Sequence, residues 1–167
     1  LSTDDEVEAS ALAAALDRAV SIQVAESSTL EDLQLLGFTL TTAPTVEEGL
    51  AAFLRFSPLL SDAFGWSLSY DRSLVDVRWQ CRVPLEPGVR IALESSVAQF
   101  VQGIRQLAGS DVEPLRVSFG HPAPPKLSAY RAFFRCPIDF DAGGYRALFP
   151  RHVLEAAPRS ANRSRRA

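Results

Sequence analysis

Apolar residues recur with two different periods along this chain, and the change between them divides it into elements. Val7, Ala11, Leu12, Ala15, Leu16 and Ala19 lie at helical spacing behind a Thr3/Glu6 capping box, which predicts a first helix. Ser28 or Thr29 can cap a second helix carrying Leu30, Leu33, Leu36 and Phe38, with Gly37 weakening its end. Thr45 and Glu48 form another capping box ahead of Val46, Leu50, Phe53 and Leu54, and Pro58 limits that third helix. From Phe64 the period becomes two: Phe64, Trp66, Leu68 and Tyr70 alternate with small and polar residues. After the turn Asp71-Arg72-Ser73, the run Val75, Val77, Trp79, Cys81, Val83 alternates with Asp76, Arg78, Gln80 and Arg82. These two strands make a hairpin, which Pro84 and Pro87 end.

Leu93, Val97, Phe100, Val101, Ile104 and Ala108 then trace one helical stripe, predicting the longest helix over Ile91 to Ala108 with Gly109 as its C-terminal cap. Its outward positions would include Gln99, Gln102, Arg105 and Gln106. A strand follows over Leu115–Phe119, then a short helix over Leu127–Phe134. Two last strands, Ile138 with Phe140 and Tyr145 with Ala147 and Phe149, are expected to form a second hairpin about Gly143-Gly144. The order αααββαβαββ predicts an α+β domain: an antiparallel sheet of about five strands, two hairpins plus one strand, with helices mainly on one face. The other face would be wet and carry Asp76, Arg78, Arg82, Arg116, Asp139 and Arg146.

Length and composition bound the rest. The chain's 167 residues, 47% of them hydrophobic, suffice for one core, expected over residues 1–158, with the basic run 159–167 as a tail or the start of a linker. A net charge of −3 argues against the body of the domain gripping phosphate backbones. Cys81 and Cys136 have no metal-ligand spacing and read as thiols in a reducing compartment. No apolar run reaches transmembrane length and the acidic N-terminus is unlike a signal peptide's, so a cytoplasmic protein without membrane partners is expected. Nucleophile elbows, phosphate-binding loops and zinc-protease motifs are all missing from the sequence, and carboxylates such as Glu94, Glu113 and Asp139 look scattered, so no enzyme is expected.

The residues with most chemical potential are His121 and the aromatics. His121, at the exit of a strand between Gly120 and Pro122, could contact a ligand, bind haem, carry a proton, or simply hydrogen-bond a carbonyl and fix its loop. A cavity between the long helix and the sheet could be edged by Tyr70, His121 and Tyr130, with Trp66 and Phe119 on the same apolar faces. Those five residues are the expected effector-binding set; no resident cofactor and no metal site are expected.

The segment Val117, Phe119, His121, Pro124, followed by Tyr130, Phe133, Phe134, Pro137, Ile138 and Phe140, fits the pattern V-x-F-x-H-x-x-P then Y-x-x-F-F-x-x-P-[VI]-x-F. Leu36-Gly37-Phe38 through Thr45, Val46 and Leu50, with Phe56 and Leu59-Leu60 after it, fits a second pattern in the right order. Both resemble the N-terminal "arabinose-binding-like" effector domain of AraC-type bacterial transcription regulators. The resemblance implies a module that binds a small effector of unspecified identity, forms a homodimer, and reaches DNA only through a separate helix-turn-helix domain that this chain lacks. A purely structural dimerisation module and a haem-carrying sensor using His121 are the other readings.

Overall fold

The computed structural model describes residues 20–59 and 62–159. The helix predicted over 3–19 and all of the basic tail beyond Arg159 lie outside them. The described chain opens in helical residues 20–27, here α1. The second predicted helix is broken in two. Thr29 caps a 3₁₀ turn, Leu30–Leu33, where its backbone N–H donates to Asp32 Oδ2 at 2.7 Å. Gln34 then takes φ 50°, and α2, Leu35–Thr42, begins. Gly37 sits inside α2 and not at its end: a Cβ there would lie 1.7 Å from the Leu30 carbonyl oxygen, so only glycine lets the turn fold against this helix. The Thr45 cap is as expected, with the Glu48 N–H donating to Thr45 Oγ1 at 3.2 Å at the start of α3, Val46–Phe56.

Strands β1, Phe64–Tyr70, and β2, Leu74–Cys81, form the expected antiparallel hairpin. Helix α4 runs for 22 residues, Pro87–Ala108, one turn earlier than the apolar stripe suggests. Pro87 opens it because a residue in the first helical position needs no N–H partner. Then come β3, Arg116–Ser118, α5, Ser128–Phe134, β4, Ile138–Asp139, β5, Tyr145–Pro150, and the short α6, His152–Glu155.

The sheet order is β1-β2-β5-β3-β4, and β3 pairs with β4 in parallel. The fold is therefore α+β as expected, but the sheet is mixed, and β4 and β5 are not a hairpin. The segment containing α5 is long enough to act as a crossover, which returns the chain beside β3 in the same direction. The Asp141–Gly143 turn, with φ 52° and 73° at those two residues, then steps over β3 so that β5 fits between β3 and β2.

The two faces divide as the alternation predicts. Val75, Val77, Trp79, Val117, Tyr145, Ala147 and Phe149 are buried against α4, whose Leu93, Val97, Val101 and Ile104 are buried in turn. Fully burying each such aliphatic side chain contributes roughly 1.5–3 kcal/mol. On the open face Arg78 and Arg146 are directly opposite each other, and Asp76 bridges them at 2.9 and 2.6 Å. Partial burial works against charge on Asp76, but hydrogen bonds from Arg146 and Arg78 hold its carboxyl below the usual range. Arg116 pairs with Asp139 at 2.7 Å on the same face. Arg105 departs from its expected outward position. It is only 9% exposed, donates to the carbonyls of Val112 and Phe134, and lies over the Phe133 ring.

Candidate functional site

Helix α4 carries two distinct sites on its buried side. The first is polar and closed. Glu94, one position from Leu93 on the apolar stripe, is 6% exposed. Its Oε1 accepts from the Tyr130 hydroxyl at 2.6 Å and from the hydroxyl of Ser21 on α1. Its Oε2 lies 2.9 Å from His121 Nε2, close packing of two polar atoms without the geometry of a hydrogen bond. The other ring nitrogen, Nδ1, is 2.9 Å from the Pro122 carbonyl oxygen and must donate to it.

The fold holds His121 from several sides. The Asp141 N–H donates to the His121 carbonyl at 2.9 Å, and the ring stacks on Phe119 at 5.3 Å, with Phe140 and Tyr145 close by. Gly120 allows this because a Cβ would come 3.3 Å from the Gly144 nitrogen. A haem ligand needs a free nitrogen with room beside it. Here both ring nitrogens are turned to protein atoms and the residue is 7% exposed. No cluster of three or more His, Cys, Asp or Glu able to hold a metal occurs among the described residues.

The second site is a partly open cavity of about 150 Å³ between α4, α3, β1 and the 3₁₀ turn. Leu30, Leu33, Leu40, Leu50, Phe53, Trp66, Phe100 and Ile104 form most of its wall, and Gly103 is part of the lining. Ser96 and Gln99 are its polar lining. Trp79 Nε1 donates to Ser96 Oγ at 2.9 Å, which fixes the oxygen as an acceptor; among the described residues the hydroxyl hydrogen has no acceptor of its own. The turn is tied to α4 by one side chain: the Leu30 N–H donates to Gln106 Oε1 at 2.9 Å, and Gln106 Nε2 donates to the Ser28 carbonyl at 2.8 Å.

The five residues singled out in the sequence thus separate into three places. His121, Phe119 and Tyr130 meet in the closed polar cluster. Trp66 lines the cavity, packed against Phe53 at 5.6 Å. Tyr70 is remote from both, 51% exposed, with Arg151 stacked over its ring at 4.3 Å and Glu47 as the partner of both side chains. That hydrogen bond to Glu47 raises the Tyr70 hydroxyl's pKa, and the bonds from Tyr70 and Arg151 lower that of Glu47. Glu94 is the residue that sequence reasoning missed. Its signal was present: a carboxylate inside the stripe Leu93, Val97, Ala98, Val101 has to be buried, and a buried carboxylate needs partners.

The fold is similar to that of a solved structure. The crystal structure of the transcriptional regulator CdpR from Pseudomonas aeruginosa superposes with a TM-score of 0.70 at 22% identity, over 87% of this chain and 48% of that one. At that identity the likeness is one of fold, and the chain spans about half the length of that regulator. Family membership rests on the sequence. Residues 2–157 match the family described as the arabinose-binding domain of AraC transcription regulators, N-terminal, and the chain belongs to it. No curated protein matches the chain in sequence. Among the described residues no helix is long and apolar enough to cross a membrane.

Proposed function

We propose that this domain is the sensing half of an AraC-type regulator: a small molecule enters the cavity between α3, α4 and the 3₁₀ turn, and its binding biases how attached DNA-reading domains are presented. The observation that carries the reading is the cavity itself, apolar, partly open and built on the long helix, in a member of a regulatory family. A ligand there touches three layers at once, so it acts on the relative population of arrangements of α3, α4 and β1. Self-association belongs to the same reading. β1 is an edge strand with one unpaired rim, and Phe38 and Phe56 are exposed on α2 and α3. The regulated DNA would be contacted by a helix-turn-helix domain, not by this acidic body.

A thermal-shift screen against sugars, amino acids, fatty acids and aromatic acids, with light scattering on the same samples, tests this. Selective binding to the folded state has to raise the melting temperature. A concentration-dependent rise for one chemical class is the expected result. A stable dimer whose melting point no compound moves would refute sensing and leave an assembly module.

A further inference from the structure

We infer that the molecule sensed is small, uncharged and mainly apolar, with a single hydrogen-bond acceptor that Ser96 reads, and that it is not a free sugar. This rests on the sensing role proposed above and specifies its ligand.

The argument is one of polar satisfaction. A pentose brings four hydroxyls and a ring oxygen, and each buried without a partner costs about 1–3 kcal/mol. Against those groups the cavity offers two polar side chains, Ser96 and Gln99. Ser96 already accepts from Trp79, so what its hydroxyl has left to offer a guest is a single donor hydrogen. No charged side chain lines the cavity. A smaller recess of about 80 Å³ shares Leu30, Leu33, Gln99 and Gly103 with it, and the charge there is the carboxylate of Asp32. A carboxylate or phosphate ligand would lose its water to meet apolar walls, with a like charge in the adjoining recess. Size points the same way. The volume of about 150 Å³ is that of a Leu/Ile/Phe-lined space that admits a benzene ring. Phe53, Trp66 and Phe100 supply ring faces and edges for an aromatic guest.

Four probes of nearly equal size or of the name-giving class decide it: acetophenone, ethylbenzene, benzoate and L-arabinose, titrated into the 167-residue chain while tryptophan emission and melting temperature are followed. Trp66 lines the cavity and Trp79 holds Ser96, so both report on it. Acetophenone is expected to give a saturable change and a higher melting temperature, and ethylbenzene to bind roughly 3–10-fold more weakly for want of the Ser96 bond. Benzoate and L-arabinose are expected to do neither. Gly103→Leu should add a side chain to the lining, occupy part of the space and abolish the acetophenone response. The nearest atom to a Cβ there is Leu30 Cδ2 at 3.6 Å, so the backbone can accept a side chain. If that variant loses its cooperative transition, Ser96→Ala decides instead: acetophenone and ethylbenzene should then bind equally, and an unchanged ratio would overturn the role of Ser96.

A response to L-arabinose or benzoate that Gly103→Leu removes would overturn the ligand class while leaving sensing in place. Silence of all four probes in the folded wild type would also overturn the class, and the broad screen would then decide sensing separately. An acetophenone response indifferent to Gly103→Leu would place binding outside this cavity and overturn the assignment.

Discussion

Glu94→Ala is the perturbation with the largest consequence for the folded state. The carboxylate is 6% exposed and serves three buried groups: Ser21, Tyr130 at 2.6 Å and His121 at 2.9 Å. Those groups are 0%, 1% and 7% exposed, so water cannot easily replace the missing acceptor. Each buried polar group that loses this carboxylate costs about 1–3 kcal/mol. Relaxation of the Ser21 and Tyr130 hydroxyls keeps the total near the lower sum, about 3–5 kcal/mol. For a domain of this size each kcal/mol lowers the melting temperature by about 2–4 °C, giving a drop of roughly 6–20 °C. Urea unfolding followed by tryptophan fluorescence measures it. Tyr130→Phe alone should cost about 1–2 kcal/mol, and less than that in the Glu94→Ala background, because the Glu94 acceptor is already gone. A Glu94→Ala protein within about 1 kcal/mol of wild type, or strictly additive costs in the double variant, would refute the network.

Other substitutions and pH report on separate parts of the structure. Gly103→Ala should stabilise by about 0.5–1 kcal/mol, since a mid-helix glycine is replaced where only ordinary contact awaits the methyl, whereas Gly37→Ala should markedly lower the urea midpoint by colliding with the Leu30 carbonyl. Asp76 has a folded pKa below its unfolded one, so the stability it contributes is present above about pH 4 and is lost as pH falls through the folded value; Asp76→Asn should flatten the acid limb of the urea midpoint against pH. Burial pushes the Cys136 thiol up to about 11 and the Tyr145 hydroxyl up to about 12. Their contributions are complete below the unfolded values, about 8.5 and 10, and fade as pH rises through the folded ones, so the midpoint should drop above about pH 9. At pH 8 Cys136 should accordingly react with a thiol reagent roughly a hundredfold more slowly than free cysteine, checked by mass spectrometry of the labelled peptides.

Much of this architecture was legible in local pattern. The period-two alternation through Val75, Val77 and Trp79 is the buried face of β2, and the stripe Leu93, Val97, Val101, Ile104 is the buried face of α4. The Thr45/Glu48 signature marks a real helix start because capping is a matter of a few adjacent atoms. What failed was non-local. Gly143-Gly144 carries a turn signal, yet no dipeptide encodes which strand lies beside β5, and β3 occupies the place where a hairpin would put β4. The break at Gln34 was invisible for a related reason: a continuous apolar spacing over Leu30, Leu33 and Leu36 fits one helix, but the turn's packing against Gly37 selects two pieces. The candidate site was read from aromatic content, which found Trp66 and the Phe119–His121–Tyr130 cluster without separating them. The cavity depends on where α3 and the 3₁₀ turn meet α4, a contact made only in three dimensions.

The most direct test of sensing through the cavity is a proton–nitrogen NMR titration with the first compound that raises the melting temperature. The account predicts that the indole signals of Trp66 and Trp79 and the amides around Ser96 and Gly103 move first and saturate together, while the Phe119–His121 amides stay in place. Shifts centred on His121 and Tyr130, with the Trp66 indole unmoved, would contradict it.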